Sequence, residues 1–162
     1  SEDIDVYLSK DIIKVNSFFD ALVNKVFNIA KKKISDNSIY SNLRLNDVYV
    51  RFEAIFKKVN GSLKEYETAE SNFLTIYTLT PEQFLEEKVN TYLKRFRIRD
   101  LYDIFFLLKY IKKSGDVKNI LNKLIINFKE PVDKNYLKIL ILEGIVPNTE
   151  KMIEYIKNFI GK

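Results

Sequence analysis

The pattern of hydrophobic and polar positions changes near residue 80. Before it, residues 47–58, DVYVRFEAIFKK, alternate between apolar and polar side chains, which is typical of a half-buried β-strand. Strands are also predicted in SEDIDVYL at the start and in FLTIYTL at residues 73–79, and SIYSNLRL at residues 38–45 has room for another. Residues 11–33 instead place apolar side chains at helical spacing and end in three lysines, which suit the negative end of a helix dipole.

Only helices are predicted after this point. Thr80-Pro81-Glu82-Gln83 has the composition of a capping box with proline at the first helical position, so a helix is expected to start there. The predicted helices cover about residues 81–96, 99–113, 117–128, 134–143 and 149–160. Strands followed by helices indicate an α+β chain with a sheet region at residues 1–79 and a helical domain at residues 80–162.

The composition excludes several kinds of chemistry. The chain has no cysteine and no histidine, so disulfides, zinc sites built from these residues, cysteine nucleophiles and histidine-based triads are excluded. A bound metal must therefore be a hard cation held by oxygen, such as magnesium, manganese or calcium. The net charge of +5 is compatible with a polyanionic substrate such as nucleic acid.

No apolar run in the sequence approaches the length of a transmembrane helix, about 18 residues. No signal peptide precedes the first predicted strand. We therefore expect a cytoplasmic protein with no membrane partner.

Three carboxylates form the first candidate site. Asp3 and Asp5 share one face of a strand because side chains alternate along it, and Glu53 lies on the polar face of the strand at residues 47–58. If these strands are neighbours, the three acids converge as in proteins that hold magnesium for phosphoryl or nucleotidyl transfer. The alternatives are a solvated acidic terminus and a simple ion pair of Glu53 with Arg51 or with a lysine.

The helical half holds a second group of charged residues. Lys88 falls within the apolar stripe of its helix, and Asp100 and Asp103 lie three residues apart near the start of the next one. One interpretation is a Lys88–Asp salt bridge that sets the angle between two helices, and the other is a functional site. The basic residues between the helices either bind phosphates or form a solvated link; they are Lys94, Arg95, Arg97 and Arg99.

Three of these segments, in this order, resemble one family. SEDIDVYL, the strand carrying RFEA, and TPEQFLEEKVNTYLKRFRIRDLYDIFFLL resemble the AbiEii/AbiGii family of nucleotidyltransferase-like toxins, part of the DNA-polymerase-β-type nucleotidyltransferase superfamily. The resemblance covers about residues 1–110, and the helices after Lys113 add nothing diagnostic. It implies a mixed nucleotidyltransferase sheet with a flanking helix, followed by a C-terminal helical bundle.

The resemblance also implies roles for the residues that match the family's motifs. In Ser-x-Asp-x-Asp, Asp3 and Asp5 match the metal-binding pair, and Glu53 matches the third acid. Lys88 matches the conserved lysine that neutralises the triphosphate, while Asp100 and Asp103 match acids that orient the lysine or bind the nucleotide. The implied cofactor is Mg²⁺ or Mn²⁺, and the implied partners are a nucleoside triphosphate, an RNA acceptor such as tRNA, and a cognate antitoxin protein. The implied setting is a toxin–antitoxin or phage-defence system.

One departure from the family leaves alternatives open. The family carries a glycine-rich loop ahead of the metal pair, which holds the triphosphate, whereas this sequence begins at the serine of the motif. We therefore expect a family member recorded from the metal motif onward, not fully active as this piece. The first alternative is a non-catalytic RNA- or protein-binding helical module with a vestigial acidic site. The second is a structural helical domain in which Lys88 and Asp100 form only a clamp.

Overall fold

The computed structural model describes residues 3–141 and 143–161, so Ser1 of the Ser-x-Asp-x-Asp motif lies outside the described residues. Strands and helices are both present, which confirms the predicted α+β class. The contacts divide the chain into a first unit, Ser1–Asn60, and a second unit, Gly61–Lys162. The sequence predicts a boundary between residues 79 and 80, and the contacts group residues 61–79 with the second unit.

The first unit is a four-stranded mixed sheet with one helix. Its strand order is β1-β4-β3-β2, in which β1 runs parallel to β4 and the other neighbours are antiparallel. Its elements are β1 (Asp3–Leu8), α1 (Ile12–Asn24), β2 (Asn28–Ile34), β3 (Ser38–Leu45) and β4 (Val48–Phe56).

Helix α1 covers one face of this sheet. Its Val15 and Phe19 are buried in one cluster with apolar residues of β3 and β4, and the Phe18 and Phe19 rings lie 5.2 Å and 6.4 Å from the Phe52 ring. Burying a side chain of this size contributes roughly 1.5–3 kcal/mol. Because side chains alternate along a strand, the residues between these core positions lie on the opposite face of the sheet.

The predicted helix at residues 11–33 is wrong beyond Asn24. The N–H of Val26 donates to the carbonyl of Val23 at 3.0 Å, and the N–H of Phe27 donates to that of Leu22 at 3.1 Å. These bonds form a Schellman motif, which ends the helix with Val26 in the left-handed region at φ 63°. Residues 28–34 then pair with β3 as an edge strand, so the three lysines lie on β2 and not at a helix terminus. Sheet pairing outweighs the helical periodicity here.

The second unit contains a hairpin followed by helices. The strand predicted at residues 73–79 is confirmed. Its partner β5 was not predicted, because Leu63 and Tyr66 are the only large apolar side chains in that strand and give a weak alternating pattern. The elements are β5 (Ser62–Glu67), β6 (Phe73–Thr78), α2 (Pro81–Arg95), α3 (Ile98–Leu107), α4 (Lys118–Ile126), α5 (Leu137–Leu140) and α6 (Thr149–Ile160).

The start of α2 confirms the capping box. The Thr80 Oγ1 accepts a hydrogen bond from the Gln83 N–H, and the Gln83 Oε1 accepts one from the Thr80 N–H. The helix predicted at residues 134–143 is shorter in the structure, as a 3₁₀ turn at Lys134–Tyr136 leads into the four residues of α5.

The helices of the second unit share one hydrophobic core. Buried side chains come from five of its helices, and the central ones are Leu85, Val89, Tyr92, Leu101, Ile104, Leu121, Leu124, Leu137, Met152 and Ile156. The longest helix in the described part of the chain, α2, has 15 residues. None of the described helices is long and apolar enough to cross a bilayer, which takes about 20 residues.

Candidate functional site

The structure brings the three predicted carboxylates of the first unit onto neighbouring strands. In the parallel pairing of β1 with β4, Asp3 lies opposite Arg51 and Asp5 lies opposite Glu53. Paired positions share a face, as do positions two residues apart on one strand. Asp3, Asp5 and Glu53 therefore lie on one face of the sheet, the face that α1 does not cover.

Arg51 lies between two of these acids. Its Nη2 is 2.6 Å from Oδ2 of Asp3, and its Nε is 3.1 Å from Oε1 of Glu53. All three side chains are about half exposed, so solvent weakens these pairs. The Glu53–Arg51 pair expected as an alternative is thus present. One cationic group already reaches both Asp3 and Glu53.

The donor chemistry fits a hard divalent cation. Carboxylate oxygens are the ligands that magnesium and manganese prefer, and the Arg51 guanidinium shows that one positive group can contact two of the three acids. As the side chains stand, however, no three acidic side chains within residues 3–141 and 143–161 are grouped closely enough to hold a metal ion. A metal bound to Oδ2 of Asp3 or Oε1 of Glu53 would displace the Arg51 contact at that oxygen.

The second unit carries two ion pairs between α2 and α3. The Lys88 Nζ lies 2.6 Å from Oδ2 of Asp103, and Arg95 donates two hydrogen bonds of 2.7 Å each to the carboxylate of Asp100. Lys88 and Arg95 are seven residues apart, which is two turns along the same side of α2. Lys88 thus pairs with Asp103, and the partner of Asp100 is Arg95.

The two pairs differ in burial. The Asp100 side chain is fully buried, whereas Lys88 and Asp103 are 37% and 39% exposed. The side-chain hydrogen bonds with Asp100 raise the pKa of Arg95 above its ordinary value. A ligand in solution can reach the Lys88 ammonium but not the Asp100 carboxylate. Asp100 therefore acts on its surroundings through Arg95.

A further acid, Asp133, is absent from the predicted set. Its Oδ1 accepts a hydrogen bond of 2.7 Å from the N–H of Ile98, and its Oδ2 lies 3.4 Å from Nη1 of Arg97. These contacts hold the first turn of α3 and hence the position of Asp100. No signal in the sequence indicates this, because Asp133 lies 35 residues from Ile98.

Comparison with known proteins finds similarity in structure. No family model matches the chain, and no curated protein matches it in sequence. Among solved structures, MenT4, a nucleotidyltransferase toxin from Mycobacterium tuberculosis, is similar with a TM-score of 0.57 and 12% identity, over 100% of this chain and 68% of MenT4. The similarity confirms the expected nucleotidyltransferase-type α+β fold. Membership of the AbiEii/AbiGii family stays a prediction.

Proposed function

We propose that the protein is a metal-dependent nucleotidyltransferase that transfers a nucleotide from a nucleoside triphosphate to an RNA acceptor. One observation carries the proposal: Asp5 lies opposite Glu53 on neighbouring strands, with Asp3 on the same face. The fold shared with a nucleotidyltransferase toxin supports it.

The proposed reaction joins a hydroxyl oxygen of the acceptor to the α-phosphorus of the triphosphate and breaks the bond from that phosphorus to pyrophosphate. Pyrophosphate leaves with the bonding electrons. Asp3 and Asp5 would hold Mg²⁺ or Mn²⁺, which when bound neutralises phosphate charge. Glu53 orients the acceptor hydroxyl and accepts its proton.

In this proposal Arg51 is the group that the metal would displace from the acids. Its guanidinium contacts both Asp3 and Glu53 in the structure and reduces the repulsion between these like-charged carboxylates on adjacent strands. A divalent cation held by Asp3 and Asp5 would therefore compete with Arg51 for the Asp3 carboxylate. Replacing Arg51 with glutamine should tighten Mn²⁺ binding, as measured by titration calorimetry.

The roles proposed for the second unit rest on the family resemblance. Lys88 neutralises triphosphate charge, and Asp103, at 2.6 Å, holds its ammonium group in place. Asp100 is proposed as a positioning residue that holds Arg95, a second cation on the same side of α2.

The biological setting is also proposed. The structural similarity to MenT4, a nucleotidyltransferase toxin, supports a toxin role for this chain. A toxin that modifies RNA needs an inhibitor in the cell that makes it, so we propose a cognate antitoxin protein as a partner. On the family resemblance, we propose tRNA as the acceptor class. The location we propose is the cytoplasm.

A nucleotide-transfer assay on the full-length protein tests the proposal. Labelled nucleoside triphosphates and a cellular RNA pool are incubated with wild type, Asp5→Asn and the control Asp47→Asn. Asp47 is fully exposed and lies in the same unit, 3.6 Å from Arg44. We expect RNA labelling by wild type and the control, and its loss in Asp5→Asn. Equal labelling by all three, or none by wild type, would overturn the proposal.

The same proteins also test the non-catalytic alternative. The Arg51 contacts favour it, since they provide Asp3 and Glu53 with a positively charged partner without a metal. RNA binding without transfer, unchanged in chelator and unchanged in Asp3→Asn or Asp5→Asn, would show a binding module with a vestigial acidic site.

A further inference from the structure

The sheet face that carries the acids continues as far as β2. Cross-strand partners share a face, so the pairings define two rows of side chains that run from β1 to β2. One row is Asp5, Glu53, Tyr40 and Lys33, and the next is Asp3, Arg51, Asn42 and Lys31. Each row starts at an acid and ends at a lysine.

The lysine end of this face forms a basic corner, which we define as Lys31, Lys33, Ser35, Ser38 and Tyr40. These residues line a cavity of about 360 Å³. The Lys31 Nζ lies 5.3 Å from the centre of the Tyr40 ring, a cation–π contact that holds the ammonium group over this face. The two serine hydroxyls lie 3.0 Å apart and add hydrogen-bonding groups.

Within residues 3–141 and 143–161, no ion pair neutralises the charge of this corner. Among the described residues, no carboxylate forms an ion pair with Lys31, Lys32 or Lys33, and all three lysines are exposed. Lysines on an edge strand protect against aggregation, and β2 is an edge strand. This accounts for lysines along β2 in general, and Lys31 and Lys33 additionally share the face of the acids.

Lys32 provides the contrast within the same strand. It pairs with Ser41 and points to the helix-covered face, where its Nζ lies 4.4 Å from the centre of the Phe19 ring. A β-bulge between Ile29 and Lys31 sets this alternation, so that Ile29 faces the core while Lys31 and Lys33 face the side of the acids.

We propose that the basic corner binds backbone phosphates of the RNA acceptor. Three strand spacings separate β2 from β1, about 14 Å. A triphosphate chain whose phosphates lie at the acids is too short to reach Lys33, whereas a polynucleotide carries a phosphate at every residue. In this arrangement the RNA strand crosses the sheet face from the lysines toward Glu53, and the terminal hydroxyl of the RNA reaches the acids.

This inference rests on the proposed function, since it names where the acceptor of that reaction lies. Its test is a binding measurement without catalysis, so that the two proposals fail separately. The affinity of the full-length protein for a labelled single-stranded RNA is measured by fluorescence anisotropy in chelator, over a series of salt concentrations. The proteins are wild type, Lys31→Gln, Lys33→Gln and the matched control Lys32→Gln.

We expect Lys31→Gln and Lys33→Gln each to weaken RNA binding and to reduce the slope of log affinity against log salt by about 0.7, the value for one lost phosphate contact to a single strand. Lys32→Gln should bind as wild type does. The double variant Lys31→Arg with Lys33→Arg keeps the charge and should keep the affinity. An equal loss in Lys32→Gln, or no loss in the other two, would overturn the inference even where nucleotide transfer depends on Asp5.

A second arm separates the two sources of phosphate. Binding of a fluorescent nucleoside triphosphate with Mn²⁺ is measured for the same variants. Unchanged nucleotide affinity together with weakened RNA affinity supports an acceptor site. Weakened nucleotide affinity with unchanged RNA affinity would place the triphosphate at the lysines and overturn the proposal.

Discussion

Arg95 holds the fully buried carboxylate of Asp100 with two parallel hydrogen bonds of 2.7 Å each. Bidentate pairs of this kind are the strongest that arginine makes. Seven residues earlier on α2, Lys88 forms the second pair with Asp103, and both of these side chains are more than a third exposed. The same two helices thus carry one buried and one solvated ion pair.

This difference predicts unequal effects on stability. Asp100→Asn replaces the buried carboxylate with an amide and leaves Arg95 without its charge partner. It should therefore lower the free energy of unfolding by about 3 kcal/mol. Asp103→Asn, its match on the exposed pair, should cost less than about 1 kcal/mol. Urea denaturation followed by circular dichroism measures both. Equal losses would show that burial does not separate the two pairs.

Lys88 should matter for nucleotide transfer. If it neutralises triphosphate charge, Lys88→Gln should lower kcat/KM for the nucleotide by roughly 100-fold, as does the loss of one charge-stabilising donor in other enzymes. Lys151, exposed on α6 of the same unit, provides the control, and Lys151→Gln should leave kcat/KM unchanged. Steady-state kinetics on the full-length protein gives both values. The same loss in both variants would indicate a general effect of charge.

Val26 should be replaceable by glycine with a gain in stability. It adopts φ 63° at the end of α1, and the residue is 81% exposed, so its side chain contributes little packing. A residue with a Cβ atom loses roughly 1–2 kcal/mol in this conformation, and glycine does not. We expect Val26→Gly to raise the free energy of unfolding by about 1 kcal/mol. Val23→Gly, within the helix, should instead lower it by about 0.5 kcal/mol.

Tyr92 should make stability depend on alkaline pH. Its hydroxyl donates to the carbonyl of Lys129 at 2.6 Å, and burial, followed by the charges of Glu130 and Asp133, raises its pKa. The unfolded chain ionises this tyrosine above about pH 10, whereas the folded chain keeps it protonated. Its contribution is therefore complete below pH 10 and falls by about 1.4 kcal/mol per pH unit above it.

The control for this effect is Tyr92→Phe, which lacks the ionisable group. At pH 8 wild type should be more stable by about 1 kcal/mol, the value of the hydrogen bond. At pH 11 this advantage should disappear, because only wild type loses stability through Tyr92. Urea denaturation of both proteins at the two pH values measures it. A constant difference would mean that Tyr92 titrates alike in the folded and unfolded chains.

Parts of the candidate site could be predicted because they depend on short-range patterns. The alternation of residues 47–58 assigns Glu53 to the polar face of a strand, and the structure has it there. The spacing of Asp3 and Asp5 places them on one face of β1 in the same way. The sequence does not show which strands are neighbours. The pairing of β1 with β4, with Asp5 opposite Glu53, is known only from the structure.

By itself, the sequence determined the elements whose signals are local, namely the alternating strand β4 and the capping box that starts α2. Its composition also excluded chemistry that needs cysteine or histidine. Only the tertiary structure decided that residues 28–34 form a strand, that Arg95 rather than Lys88 holds Asp100, and that Arg51 bridges Asp3 and Glu53. Hydrogen bonds and side-chain spacing within a few residues act in any context. Strand pairing and burial depend on partners far along the chain, and their free energy exceeds local preference.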